Sequence, residues 1–204
     1  MTVLHTIFRL VFPERDTALM IRKADETQML RSYRPQTYGG CISLSSYQNP
    51  LVRAAIREIK FHTNERAAAL LSVLLKTWVT EHIHEPVLIV PMPLARSRLR
   101  TRGYNQVARV LAYAAHDTTF LSVADTLLTR THNTKPQTSL DKKDRAKNVM
   151  NAFRIKSERA EGRIRDAHIL LLDDVYTTGA TMHAAKDALV PYHPASVTCI
   201  ALAH

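Results

Sequence analysis

Cysteine is scarce in this chain of 204 residues. Cys41 and Cys199 are the only two, far apart and in no CxxC spacing. That excludes a disulfide scaffold and a structural zinc site of the usual cysteine type. Long apolar runs are also missing. The best stretch, Ala67–Val79, is cut by Ser72 and Lys76 and falls short of the roughly twenty residues that a membrane span needs. Thr2–Phe12 is apolar but has neither a basic leader nor a small-residue cleavage site, so no signal peptide is expected. These absences predict a cytoplasmic protein without a membrane partner. There is no internal repeat and no low-complexity segment. Acidic residues are few as well, with eighteen Asp and Glu against twenty-eight Lys and Arg.

What remains is an ordinary globular composition, 46% hydrophobic and 23% charged, enough for about one domain with a real core. The unusual quantity is a net charge of +10, which favours anionic partners: phosphorylated small molecules, nucleic acid or acidic lipid. Residues 96–165 hold sixteen Lys and Arg against six Asp and Glu. The whole excess lies there.

Hydrophobic patterning predicts an α/β chain. Val3, Leu4, Ile7, Phe8, Val11 and Phe12 form a helix-like stripe closed by Pro13, and Ile42–Tyr47 reads as a short strand. Helical spacing then runs through Leu51–Ile59, from Asn64 to about Val79, through Val107–Ala114 and through Ala180–Leu189. Val87–Val90 and His168–Leu172 are all-apolar or nearly so, the pattern of strands buried on both faces of a parallel sheet. Thr126–Thr129 and Val197–Ala203 are further predicted strands. Thr131–Asn148 is polar and reads as a long loop.

The informative segment is Ile169–Thr181. A buried strand brings two adjacent carboxylates, Asp173 and Asp174, to its C-terminal end, where α/β sheets bind ligands. A hydroxyl-rich loop follows, with Thr177, Thr178 and Gly179, and Ala180 and Thr181 open a helix. Backbone N–H groups, hydroxyls and the helix dipole there suit a phosphate. The carboxylates suit a vicinal diol or the water shell of a metal ion. A sugar phosphate bound with Mg²⁺ satisfies both halves. A plain strand–turn–helix with the aspartates as caps accounts poorly for the combination.

This segment resembles the phosphoribosyl pyrophosphate (PRPP) motif of type I phosphoribosyltransferases. Further matches resemble the competence protein F (ComF) family. They are Tyr47-x-x-Pro50-Leu51-x-Arg53 leading to Ile59-Lys60-Phe61; Val90-Pro91-Met92-Pro93-Leu94 followed by Arg98–Gln106; and Arg130 with Thr134-Lys135-Pro136-Gln137, Leu140, Arg145, Asn148-Val149 and Ala152-Phe153. They run in order from about residue 47 to the C-terminus, roughly three quarters of the chain. The family usually opens with a Leu-Phe-Pro turn and a four-cysteine zinc module. Val11-Phe12-Pro13 matches the turn, but the cysteines are absent.

The resemblance implies a type I phosphoribosyltransferase fold, a parallel sheet flanked by helices, over residues 47–204. Residues 1–46 would be a short extension without zinc ligands, held by packing on the main domain. It further implies that Asp173 and Asp174 bind the ribose hydroxyls and that the loop from Thr177 through Thr178, Gly179 and Ala180 to Thr181 binds the 5-phosphate. The turn around Met92, Pro93, Leu94 and Arg96 would face the pyrophosphate, often through a strained peptide, and Lys135, Gln137 and Arg145 would close over the leaving group. Mg²⁺ would bridge ligand groups, with no direct protein ligand. DNA uptake enters with the family, so single-stranded DNA and a protein partner of the uptake machinery are expected partners. Arg96, Arg98, Arg100 and Arg102 alternate and would share one side of an extended chain. Arg98, Arg100 and Arg102 would then touch nucleic-acid phosphates, with Tyr104 stacking on a base. His82 and His84 lack an acidic or cysteine partner at ligand spacing. Trp78 and Cys199 read as core, and Cys41 as exposed.

Overall fold

The structure, a computed structural model, describes residues 15–116, 120–131 and 152–204. The apolar N-terminal stripe, most of the Thr131–Asn148 loop, and Lys135, Gln137 and Arg145 lie outside the described residues.

Helices α1 (Asp16–Lys23) and α2 (Glu26–Leu30) precede a hairpin of β1 (Tyr33–Tyr38) and β2 (Cys41–Ser45). Helices α3 (Pro50–Phe61) and α4 (Glu65–His82) lead to β3 (Val87–Pro91). Then come α5 (Arg96–Arg102), α6 (Gln106–Ala115), and the short strands β4 (Leu121–Val123), β5 (Leu128–Arg130) and β6 (Phe153–Ile155). The chain finishes with α7 (Glu158–Gly162), β7 (His168–Val175), α8 (Ala180–Leu189) and β8 (Ser196–Ala203).

One six-stranded sheet has the order β1-β2-β8-β7-β3-β4, and β5 and β6 form a separate antiparallel pair. Only the β1–β2 pair of the large sheet is antiparallel, so the expected parallel sheet is mixed at one edge. Strand β2 pairs with β8 in parallel, which makes residues 33–45 part of the same sheet as β7. Strands β3 and β7 lie inside the sheet with their apolar runs buried on both faces. One face packs on α3, α4 and α6 through Ile56, Ile59, Leu71, Leu75 and Leu111. The other packs on α8 and the β5–β6 pair through Met182, Leu189, Leu128 and Phe153.

Local signals fix the helix starts near the site. Asn49 caps α3 through N–H donors of Leu51 and Val52, with Pro50 in the first turn. Asn105 caps α6, and its amide donates to the Met92 carbonyl at 3.0 Å. That bond ties α6 to the turn after β3.

Two expectations fail here. Residues 96–102 form α5 rather than an extended strand, so alternate arginines do not share a side. Cys41 is 1% exposed, in register with Cys199 on β8, and burial with Cys199 and Asp173 nearby pushes its thiol up to about 12.

The first helix is tied down by a buried charge. Glu58 of α3 is fully covered. It accepts from Arg15 Nε and Nη2 at 3.3 and 3.1 Å, Thr17 Oγ1 at 2.6 Å and Asn64 Nδ2 at 3.0 Å. Burial raises its pKa, but these donors outweigh burial and bring it down to about 2. The network therefore stabilises the fold above the ordinary carboxylate range, and that stability is lost as pH falls toward 2. Replacing Glu58→Gln is expected to cost about 2 kcal/mol at pH 7. Urea unfolding at pH 7 and pH 3 checks this: the gap to wild type narrows at pH 3, and an undiminished gap contradicts it.

Candidate functional site

Strand β7 ends at the C-terminal edge of the sheet, beside the end of β3. A cavity of about 420 Å³ opens there. Alternation along β7 sends Asp174 toward the α3 and α6 face, with Leu170 and Leu172, and Asp173 toward the other. Both still line the cavity, because the strand ends at its floor.

Asp174 is 6% exposed. Its carboxylate takes Lys60 Nζ at 2.7 Å from the end of α3 and Gln106 Nε2 at 2.5 Å from the start of α6. Gln106 is positioned in turn by Arg102, whose Nη1 donates to its Oε1 at 3.1 Å. Asp173 accepts the Asp174 backbone N–H at 2.8 Å. Burial, then the adjacent Asp174 carboxylate, push the Asp173 pKa above the ordinary carboxylate range; Lys60 and Arg130 act against them.

The loop after β7 is shaped by Gly179, whose φ of +75° lies in the left-handed region. An added Cβ would meet the Tyr176 ring, with Cε2 at 2.7 Å. Tyr176 is buried beneath the loop, and its carbonyl accepts from the His204 ring nitrogen at 3.0 Å. Thr177 and Thr181 line the cavity. Thr178 and Ala180 are exposed on the same loop.

Met92, Pro93 and Leu94 line the wall opposite. Met92 N–H still bonds the Leu172 carbonyl, extending the β3–β7 pairing at 2.8 Å. No cis peptide occurs among the described residues, and no positive φ falls in residues 92–96, so the strained peptide expected at this turn is not found. Arg96 is exposed at the start of α5 and does not line the cavity; Arg100 does not line it either. Arg98 and Arg102 do, four residues apart on one face of α5. Tyr104 is committed elsewhere. Its hydroxyl donates to the Ile59 carbonyl at 2.6 Å and accepts Thr63 N–H at 3.1 Å, while the Arg109 guanidinium covers its ring at 4.5 Å.

Five lining residues were not singled out as site residues from sequence: Tyr47, Lys60, Gln106, Arg130 and Val175. Each stands in a segment that resembles the family pattern, which was the available signal. Burial, then Arg98 nearby, lower the Arg130 pKa, and Asp173 acts against them. The cavity thus has two carboxylates on its floor and Lys60, Arg98, Arg102 and Arg130 around it, a donor and acceptor set that suits a diol and a polyphosphate on one ligand. No cluster of three or more His, Cys, Asp or Glu able to hold a metal occurs among the described residues. His82 and His84 lie with His168 at the opposite edge of the sheet, near the starts of β3 and β7. No helix among the described residues is long and apolar enough to cross a membrane.

The family model of the phosphoribosyl transferase domain matches residues 104–204. DNA utilization protein YhgH of Salmonella typhimurium is 30% identical over 171 residues, covering 80% of this chain and 71% of that protein. Competence protein F of Haemophilus influenzae is 34% identical over 110 residues, 54% of this chain and 47% of that one. Competence protein ComFC of Bacillus subtilis is 30% identical over 148 residues, 70% and 55% respectively. Among solved structures, a Trypanosoma cruzi hypoxanthine phosphoribosyl transferase matches with 12% identity and a TM-score of 0.41, over 72% of this chain and 64% of that chain.

Replacing Asp174→Asn removes the charge nearest Asp173. The Asp173 pKa is then expected to fall toward the ordinary carboxylate range, as read by carbon-13 NMR titration of the side-chain carboxyl. Because the raised value means that the folded protein holds the proton longer, Asp173 weakens stability as pH rises through it. The variant should show a shallower slope, with burial of Asp173 keeping part of it. An unchanged Asp173 titration contradicts the coupling.

Proposed function

The chain belongs to the family of DNA utilization protein YhgH and competence protein F, with a type I phosphoribosyltransferase fold, and from that footing we propose that it binds PRPP with Mg²⁺ and transfers its phosphoribosyl group. The observation that carries the reading is the cavity at the ends of β3 and β7, which two carboxylates line together with Lys60, Arg98, Arg102 and Arg130. In this reading Asp173 and Asp174 take the ribose hydroxyls. The loop from Thr177 to Thr181, turned by Gly179 against the Tyr176 ring, takes the 5-phosphate at the start of α8. Arg98, Arg102 and Arg130 face the pyrophosphate.

Transfer breaks the bond from the anomeric carbon to pyrophosphate, which leaves with the electron pair. The acceptor's lone pair forms the new bond, and the acceptor gives up a proton. Positive charge grows on the ribose beside the carboxylates, and negative charge grows on the leaving group beside the arginines. Mg²⁺ carried by PRPP supplies further neutralisation of the leaving group. The donor set of the cavity fits such a ligand without a metal ligand of its own. Lys135 and Arg145 join the leaving-group side on resemblance alone.

A second reading has the protein handling single-stranded DNA. It is favoured by the names of the relatives and by the basic excess of residues 96–165. The two separate by assay. The enzyme reading expects Mg²⁺-dependent pyrophosphate release from PRPP with a panel of nucleobase acceptors, and a loss of about 100-fold or more in Asp174→Asn. Release that is unaffected by Asp174→Asn contradicts it. The DNA reading expects strand binding that weakens steeply with salt, by about 0.7 in log affinity per log salt for each phosphate contacted, and that ignores Asp174→Asn.

A further inference from the structure

A second cavity of about 560 Å³ adjoins the first and shares Lys60, Arg98 and Arg102 with it. Its remaining wall is Phe61, Thr63, Ser97, Thr101 and Tyr104, with no carboxylate. Phe61, the last residue of α3, is 64% exposed, the highest exposure of any large hydrophobic side chain among the described residues. The Arg102 guanidinium lies 5.4 Å from its ring centroid.

The turn that presents this ring is braced. Tyr104 holds the Ile59 carbonyl and the Thr63 N–H at once, and so fixes the end of α3 against the α5–α6 junction. Thr63 is kept at a φ of +51°, unfavourable for a β-branched residue. Strain of this kind persists where surrounding contacts over-determine it, and it gathers at functional sites. The result is a fixed aromatic face in water, edged by cations and hydroxyls.

We propose that this cavity is a nucleotide-binding subsite, with a base stacked on Phe61 and its phosphate held by Arg98 and Arg102. An aromatic face accepts any base, and Arg102 adds a cation to the same stack. Lys60 is committed to Asp174, and Arg98 and Arg102, which line both cavities, are the cations within reach of the phosphate. The absence of carboxylates from the lining selects an anionic aromatic ligand over a neutral one. The nucleotide is either free or one unit of a single strand. Only the Phe61 stack is separate from the proposed PRPP site, because Arg98 and Arg102 are shared with its pyrophosphate side, and the strand form would give the DNA reading a location.

The test uses the full chain with two probes: deoxyadenosine monophosphate, and a single-stranded DNA dodecamer containing one 2-aminopurine, whose fluorescence is quenched on stacking. Wild type is expected to bind and to quench the dodecamer label. Phe61→Leu, which keeps an apolar side chain without a π face, should weaken binding about 5- to 100-fold and abolish quenching. Phe61→Tyr should retain both. The affinity of both variants for Mg²⁺ and PRPP should stay at the wild-type value. Binding of the monophosphate alone assigns the subsite to free nucleotides and removes the DNA reading. Wild type that binds neither probe, or Phe61→Leu that binds and quenches as wild type does, overturns the proposal.

Discussion

The carboxylate of Asp174 is gripped by Lys60 and Gln106, and the rest of the site is arranged around that grip. A carboxylate so far out of water, with a second one beside it, is costly unless cations and donors satisfy it. Lys60 stands in the last turn of α3 and Gln106 begins α6, so one buried acid sets two helices against the tip of β7. Each helix is fixed again a few residues away. The Glu58 network holds α3 to the first helix, and Asn105 holds α6 to the turn after β3. The cavity walls therefore keep a defined spacing before any ligand arrives, which is what a transfer reaction asks of its protein.

Opposite charges then share one cavity. Asp173 and Asp174 leave β7 on opposite faces yet meet at its end, where burial and mutual repulsion raise Asp173. Arg98, Arg102 and Arg130 line the same cavity. One ligand carrying both a diol and a polyphosphate complements this set. Lys60, Arg98 and Arg102 also line the neighbouring cavity, where an exposed aromatic ring replaces the acids. From the basic segment 96–165, Arg98, Arg102 and Arg130 are the described basic residues that line these two cavities.

The centre of the fold was legible and its margins were not. Helix α8 begins and ends where spacing placed it, and β3 and β7 fall on the two apolar runs, because burial on both faces leaves a signal within a few residues. The PRPP-like loop was legible for the same reason: the strand, the acids, the threonines and the glycine are contiguous. Lys60 and Gln106 reach Asp174 from distant parts of the chain, and nothing local in β7 indicates them. The arginine alternation misled because α5 has no buried residue; without an apolar stripe, helix and extended chain look alike. Pairing of β2 with β8, which buries Cys41 beside Cys199, joins the two ends of the chain and leaves no short-range trace.

In the proposed function, the cavity at the ends of β3 and β7 is a PRPP site. Isothermal calorimetry of the wild-type chain, titrated with PRPP in the presence of Mg²⁺, measures that directly. One saturable site, weakened when pyrophosphate is added beforehand, is the predicted result. A chain that circular dichroism shows to be folded, and that binds no PRPP under these conditions, contradicts it.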